Sequence, residues 1–85
     1  MDYVQTKHFK NRIKERDINI DRIIYNLRDI ENELRLYNNT GKELCYEDSQ
    51  YMIILQVRNN KVILITALDV SEKENKFVKG GTIKI

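Results

Sequence analysis

Two apolar runs set close together limit what this chain can fold into. Tyr51-Met52-Ile53-Ile54-Leu55-Gln56-Val57 is followed, after four polar residues, by Val62-Ile63-Leu64-Ile65-Thr66-Ala67-Leu68. Both runs are rich in the β-branched and aromatic residues that suit a pleated surface. Between them, Asn59-Asn60 supplies a two-residue hairpin turn, because asparagine tolerates the positive φ that such turns demand. The expected product is an antiparallel hairpin of strands 51–57 and 61–68. Neither strand alternates apolar with polar, so neither leaves one face for water. They belong at the centre of a sheet, covered on one side by helices.

The covering helices are sought in the first third of the chain. Thr6 is a good N-cap, with a hydroxyl that accepts from the first unpaired amides. A helix from Lys7 to Arg16 follows, with Phe9 and Ile13 one turn apart and facing the core. Lys10 and Lys14 then point to water. Asp17 to Asn19 forms a turn, and Asn19 caps a second helix in which Ile20, Ile23, Ile24 and Leu27 repeat at i, i+3, i+4, i+7. This helix is expected to end near Asp29, with a strand from Asn32 to Tyr37. The alternative is a helix that continues through Ile30, Leu34 and Tyr37. Asn38-Asn39-Thr40-Gly41 reads as a turn in either case. Glu43 to Tyr46 is a short strand, and Ser71 to Glu74 fits a capping box. Gly80-Gly81 is a joint, and Thr82 to Ile85 adds a last strand. Met1 to Gln5 is an edge strand or a lead-in. The fold class expected is α+β: a single domain in which two N-terminal helices pack on a small antiparallel sheet of about four strands.

Composition narrows the function classes. One cysteine, Cys45, and one histidine, His8, rule out an internal disulfide and a Cys/His metal set. No cofactor or metal is expected, and the cysteine usage favours a cytoplasmic protein. No apolar run is long enough to span a bilayer, so no membrane partner is expected. The net charge is +2, small for a dedicated nucleic-acid binder. It is unevenly spread. Residues 1–28 carry seven basic and four acidic side chains, residues 29–49 two and six, and residues 50–85 six and three. Alternating charge blocks on a chain of 85 residues suit association with a protein partner, including a second copy paired through Thr82–Ile85.

The chemistry-bearing residues concentrate in the first helix. His8, Arg12, Glu15 and Arg16 fall at i, i+4, i+7 and i+8, one polar stripe beside the apolar face. A proton-transfer group flanked by two guanidiniums and a carboxylate suits a phosphate and acid/base work beside it. The same residues are equally suited to structural pairing, Arg12 and Arg16 with the acidic middle segment and Glu15 with an arginine. Tyr46 and Tyr51 are the tyrosines placed on the sheet, where such a ring stacks on a base or is simply buried. Thr66 interrupts an apolar strand where the sheet is expected to meet the first helix. Cys45 reads as a small apolar side chain.

This opening, His8-x3-Arg12-x2-Glu15-Arg16 followed by Asp17-Ile18, resembles a family of small bacterial and phage domains of unknown function. Those domains open with H-A-x-x-R-x-x-E-R-G-I and close in apolar strands with a V-I-T-V-type motif, to which Val62–Ala67 is similar. Asp17 stands where they usually carry glycine. The likeness covers most of residues 7 to 68, and the pattern is distantly similar to BrnT- and RelE-like toxins. What it implies is metal-independent ribonuclease chemistry by histidine, basic and tyrosine side chains, here His8, Arg12, Glu15, Arg16, Tyr51 and Thr66. Three functions are therefore carried forward. The favoured one is a small interaction protein, an inhibitor or regulator of the phage or mobile-element type, that binds a protein partner. The others are a toxin-like ribonuclease using His8 with Arg12 and Arg16, and a non-catalytic RNA-binding module.

Overall fold

The computed structural model describes residues 1–69 and 82–85. Its elements run β1 (Asp2–Gln5), α1 (Lys7–Glu15), α2 (Ile20–Arg28), α3 (Glu31–Arg35), β2 (Leu44–Glu47), β3 (Tyr51–Arg58), β4 (Lys61–Asp69) and β5 (Ile83–Lys84). Among the described residues five strands form one sheet in the order β1-β4-β3-β2-β5.

The hairpin lies where its two-sided apolarity places it, with β3 and β4 antiparallel in the interior of the sheet. Asn59 and Asn60 turn it at φ 51° and 59°, the left-handed pair of a two-residue turn. A second turn buttresses the first. The amides of Asn59 and Asn60 donate to Oδ1 of Asn39 and Asn38, both at 2.9 Å. Gly41 completes that second turn at φ 74°.

Packing follows the strand period. Ile53, Leu55 and Val57 on β3, with Val62, Leu64 and Ala67 on β4, meet Phe9, Ile23, Leu27 and Leu34 of the three helices in the main core. On alternate positions Met52, Ile54 and Leu68 join Cys45 in a second, smaller buried cluster. A β-bulge sets this pattern. Leu55 is opposite Leu64 but Ile54 is opposite Thr66, so Ile65 is an extra residue on β4. Without it, Thr66 would share the face of Leu64. With it, Ala67 takes that face and Thr66 the other.

Two expectations are corrected. The sheet is mixed: β1 runs parallel to β4, and β5 parallel to β2. The connection from β1 to β4, through three helices and β2 and β3, is long enough for the crossover that parallel pairing needs. The segment Asn32–Tyr37 is helical instead of extended. On a strand Leu34 and Leu36 would share a face, but Leu34 is 0% exposed and Leu36 75%. Leu34 lies seven residues after Leu27 and extends its buried stripe across a break at Ile30 (φ −113°, ψ 19°). Glu31 and Arg35 add an i, i+4 ion pair at 3.6 Å. The capping box at Ser71–Glu74 and the Gly80-Gly81 joint lie outside the described residues.

Candidate functional site

The register of β1 against β4 ends at Gln5 opposite Leu64, while β4 continues to Asp69. Helix α1 begins two residues after β1 stops and runs on in the same direction. It lies beside the stretch of β4 that has no strand partner on that side among the described residues. Its side chains take over the bonding a strand would have supplied. The Thr6 amide donates to the Leu64 carbonyl at 3.1 Å, continuing the ladder by one step. The Thr6 hydroxyl donates to the carbonyl of the bulged Ile65 at 3.0 Å. His8 Nε2 and Thr66 Oγ1 are 3.0 Å apart. Arg12 Nε donates to the Ala67 carbonyl at 3.0 Å, and Arg16 forms an ion pair with Asp69.

Simple geometry accounts for this one-to-one tracking. Ten helical residues from Thr6 to Arg16 advance about 15 Å at 1.5 Å each. Four strand residues from Ile65 to Asp69 advance about 13 Å at about 3.3 Å each. A stripe at i, i+4 and i+8 therefore stays level with its strand over the whole helix. Phe9, fully buried, and Ile13, half-buried, hold the adjacent face of α1 to the core.

Five of the six residues singled out from the sequence thus gather at one end of β4. His8 is exposed, and Thr66, 2% exposed, shares its one described side-chain hydrogen bond with it. Arg12 and Arg16 are half-buried against the strand. Tyr51 is opposite Asp69 in register and packs its ring on the core, as Tyr46 does. Glu15 stays apart: it is exposed and, with Asn11 and Lys14, lines an open depression of about 280 Å³. No family model, curated protein or solved structure matches this chain.

The partner of Arg16 differs from the one expected. It is Asp69 of β4 and not a carboxylate of the acidic middle. Three of the six middle acids have partners of their own. Asp48 binds Arg22 at 3.0 Å, and Glu47 lies 3.7 Å from Lys84. Glu31 gathers the Tyr3 hydroxyl at 2.6 Å, the Met1 amine at 3.6 Å, Arg35 at 3.6 Å and Arg28 at 3.9 Å. Arg28 also stacks on the Tyr3 ring, 5.2 Å from its centre. The hydrogen bond from Tyr3 holds the Glu31 carboxyl below its ordinary 4.5, aided by those cations and opposed by burial. Burial, and then the bond to Glu31, pushes the Tyr3 phenol above its ordinary 10.0.

The sequence reading missed this cluster. Its only local signal was the spacing Arg28, Glu31, Arg35, at i, i+3 and i+7. Cys45 is buried, which pushes its thiol up. Among the described residues no three His, Cys, Asp or Glu side chains group as metal ligands, and no helix is long and apolar enough to cross a membrane.

Proposed function

We propose that this chain is a small interaction protein that acts by binding a protein partner. The observation that carries this reading is the use made of the polar stripe. Arg12 and Arg16, the residues best suited to hold a phosphate, are directed at the carbonyl of Ala67 and the carboxylate of Asp69. The stripe fastens helix α1 to the edge of β4. The helical layer meanwhile presents Tyr25, 70% exposed, and Leu36, 75% exposed. An exposed aromatic ring beside charged neighbours is the kind of anchor on which binding energy concentrates. The resemblance to small phage and bacterial domains points instead to the ribonuclease chemistry of the second reading below. It gains a physical reading at Asp17, whose φ of 51° is the conformation that the glycine usual at that place serves.

Affinity capture with the parent chain and with a Tyr25→Ser, Leu36→Ser variant tests the proposal. A specific protein partner retained by the parent and lost by the variant, with folding unchanged, is the expected result. Equal recovery by both would remove Tyr25 and Leu36 from the interface.

A second reading, the metal-independent ribonuclease, is favoured by one observation. His8 is exposed while Thr66 fixes its ring. In that mechanism a ribose 2′-hydroxyl attacks the neighbouring phosphate, His8 takes up its proton, Arg12 and Arg16 stabilise the phosphorane, and the P–O5′ bond breaks to leave a 2′,3′-cyclic phosphate and a 5′-oxygen protonated by His8 or water. Incubation with RNA in the presence of a chelator decides between the two. Turnover that disappears in His8→Ala would establish the ribonuclease; intact RNA favours the binding protein.

A further inference from the structure

The outer face of α1 belongs to none of the contacts described above. Lys7, Lys10 and Lys14 are exposed and fall at i, i+3 and i+7, opposite the face that meets the core. Among the described residues none of the three side chains has an ion pair or hydrogen bond. The arginines of the helical layer differ: Arg22, Arg28 and Arg35 all face carboxylates. Three of the six acids of the middle segment, Glu31, Glu47 and Asp48, are likewise engaged elsewhere. The lysine row is thus a positive charge that enters no ion pair among the described residues, with exposed Glu15 beside Lys14 as the one carboxylate of the same helix.

We infer that this row docks on the sugar-phosphate backbone of duplex DNA. Lysine ammonium groups are compact point charges that meet phosphates without fixed geometry. The outer face of α1 exposes no large apolar or aromatic side chain. It therefore lacks the apolar anchor of a protein interface and the stacking platform that single-stranded nucleic acid uses. A duplex hides its bases and presents phosphates, so it asks for neither. Length agrees as well. Lys7 to Lys14 spans about 10 Å of helix axis at 1.5 Å per residue, or about three rises of one DNA strand at 3.4 Å. The contact is independent of base sequence, since every group in it is a backbone-directed charge.

The test is fluorescence anisotropy of a labelled short DNA duplex, titrated with the full chain over a series of salt concentrations. Three phosphate contacts give a slope of log K against log salt of about −2.7, at about −0.9 per contact. Each single Lys→Gln change at positions 7, 10 and 14 is expected to reduce the slope by about one. The triple variant is expected to lose at least tenfold in affinity at low salt with an unchanged melting temperature. Lys42→Gln and Lys61→Gln, at exposed lysines elsewhere, should leave the slope intact. A triple variant that binds like the parent would overturn the inference. So would tighter, lysine-dependent binding to single-stranded RNA or to phosphatidylserine vesicles. These measurements require neither a protein partner nor turnover, so they stand or fall separately from the function proposed above.

Discussion

The hydroxyl of Thr6 joins the start of α1 to the bulge of β4: it accepts from the Phe9 amide at 3.0 Å and donates to the Ile65 carbonyl at 3.0 Å. One side chain thus caps a helix and satisfies a carbonyl that the bulge has displaced from the strand ladder. Replacement by alanine removes a cap, costing about 1 kcal/mol, and leaves a part-buried carbonyl short of a donor, costing about another 1 kcal/mol. Thr6→Ala is expected to lower unfolding stability by about 2 kcal/mol in urea titrations, and Thr6→Ser to restore most of it. A loss below about 0.5 kcal/mol for alanine would mean that the bulge does not depend on this contact.

The neighbouring contacts on α1 are of unequal weight. Phe9 is 0% exposed in the main core, whereas Ile13 is only partly buried at its edge. Phe9→Ala is expected to cost about 3–5 kcal/mol, through lost burial and the cavity left behind. That is a large part of the stability of a domain this size. Ile13→Val should cost about 1 kcal/mol. Equal losses at the two positions would show that α1 is held by its polar stripe more than by its apolar face.

The Tyr3–Glu31 pair makes stability fall at both ends of the pH scale. The folded state holds the Glu31 carboxyl below 4.5. Its contribution is therefore complete above about pH 4.5 and is lost as pH falls through the lower folded value. The folded state holds the Tyr3 phenol above 10.0. Its contribution is complete below pH 10 and declines as pH rises further. Tyr3→Phe removes the alkaline decline due to this group. It also returns the Glu31 carboxyl toward its ordinary value, so the acid decline becomes shallower. Denaturant unfolding of parent and variant from pH 3 to 11 checks both limbs, and parallel curves would show that the pair does not couple to folding.

What the sequence disclosed follows from which interactions are local. The caps at Thr6 and Asn19, the helix faces and the Asn59-Asn60 turn all rest on residues within one or two turns of each other. They were legible for that reason. The stripe of His8, Arg12 and Arg16 was visible as well, but its meaning was not. Its partners Thr66, Ala67 and Asp69 lie more than 50 positions away in the chain. No helical periodicity reports them. The parallel pairing of β1 with β4 is likewise a long-range choice. The segment Asn32–Tyr37 misled because Leu34 and Leu36 alternate as strand residues do. The decisive contact of Leu34 is with the same core that holds Leu27, one helix earlier.

Asp17 is the position where the sequence works against its own fold. The end of α1 is a Schellman turn: the Ile18 amide donates to the Ile13 carbonyl at 2.9 Å and the Asp17 amide to the Lys14 carbonyl at 3.4 Å. Ile18 and Ile13 meet in the core, which is the apolar contact this motif usually carries. The turn requires a left-handed residue at Asp17, found at φ 51°. Aspartate tolerates that conformation less well than glycine, and its negative charge sits at the negative end of the helix dipole. Asp17→Asn removes only the charge and should stabilise by about 0.5 kcal/mol. Asp17→Gly also removes the backbone strain, at the cost of a more mobile unfolded chain, and should stabilise by about 1 kcal/mol. Asp17→Ala loses the charge but not the strain, and is expected to fall below Asp17→Asn. Thermal unfolding of the three variants gives the order Gly, Asn, Ala if backbone conformation dominates. An order in which Ala equals Asn would assign the effect to charge alone.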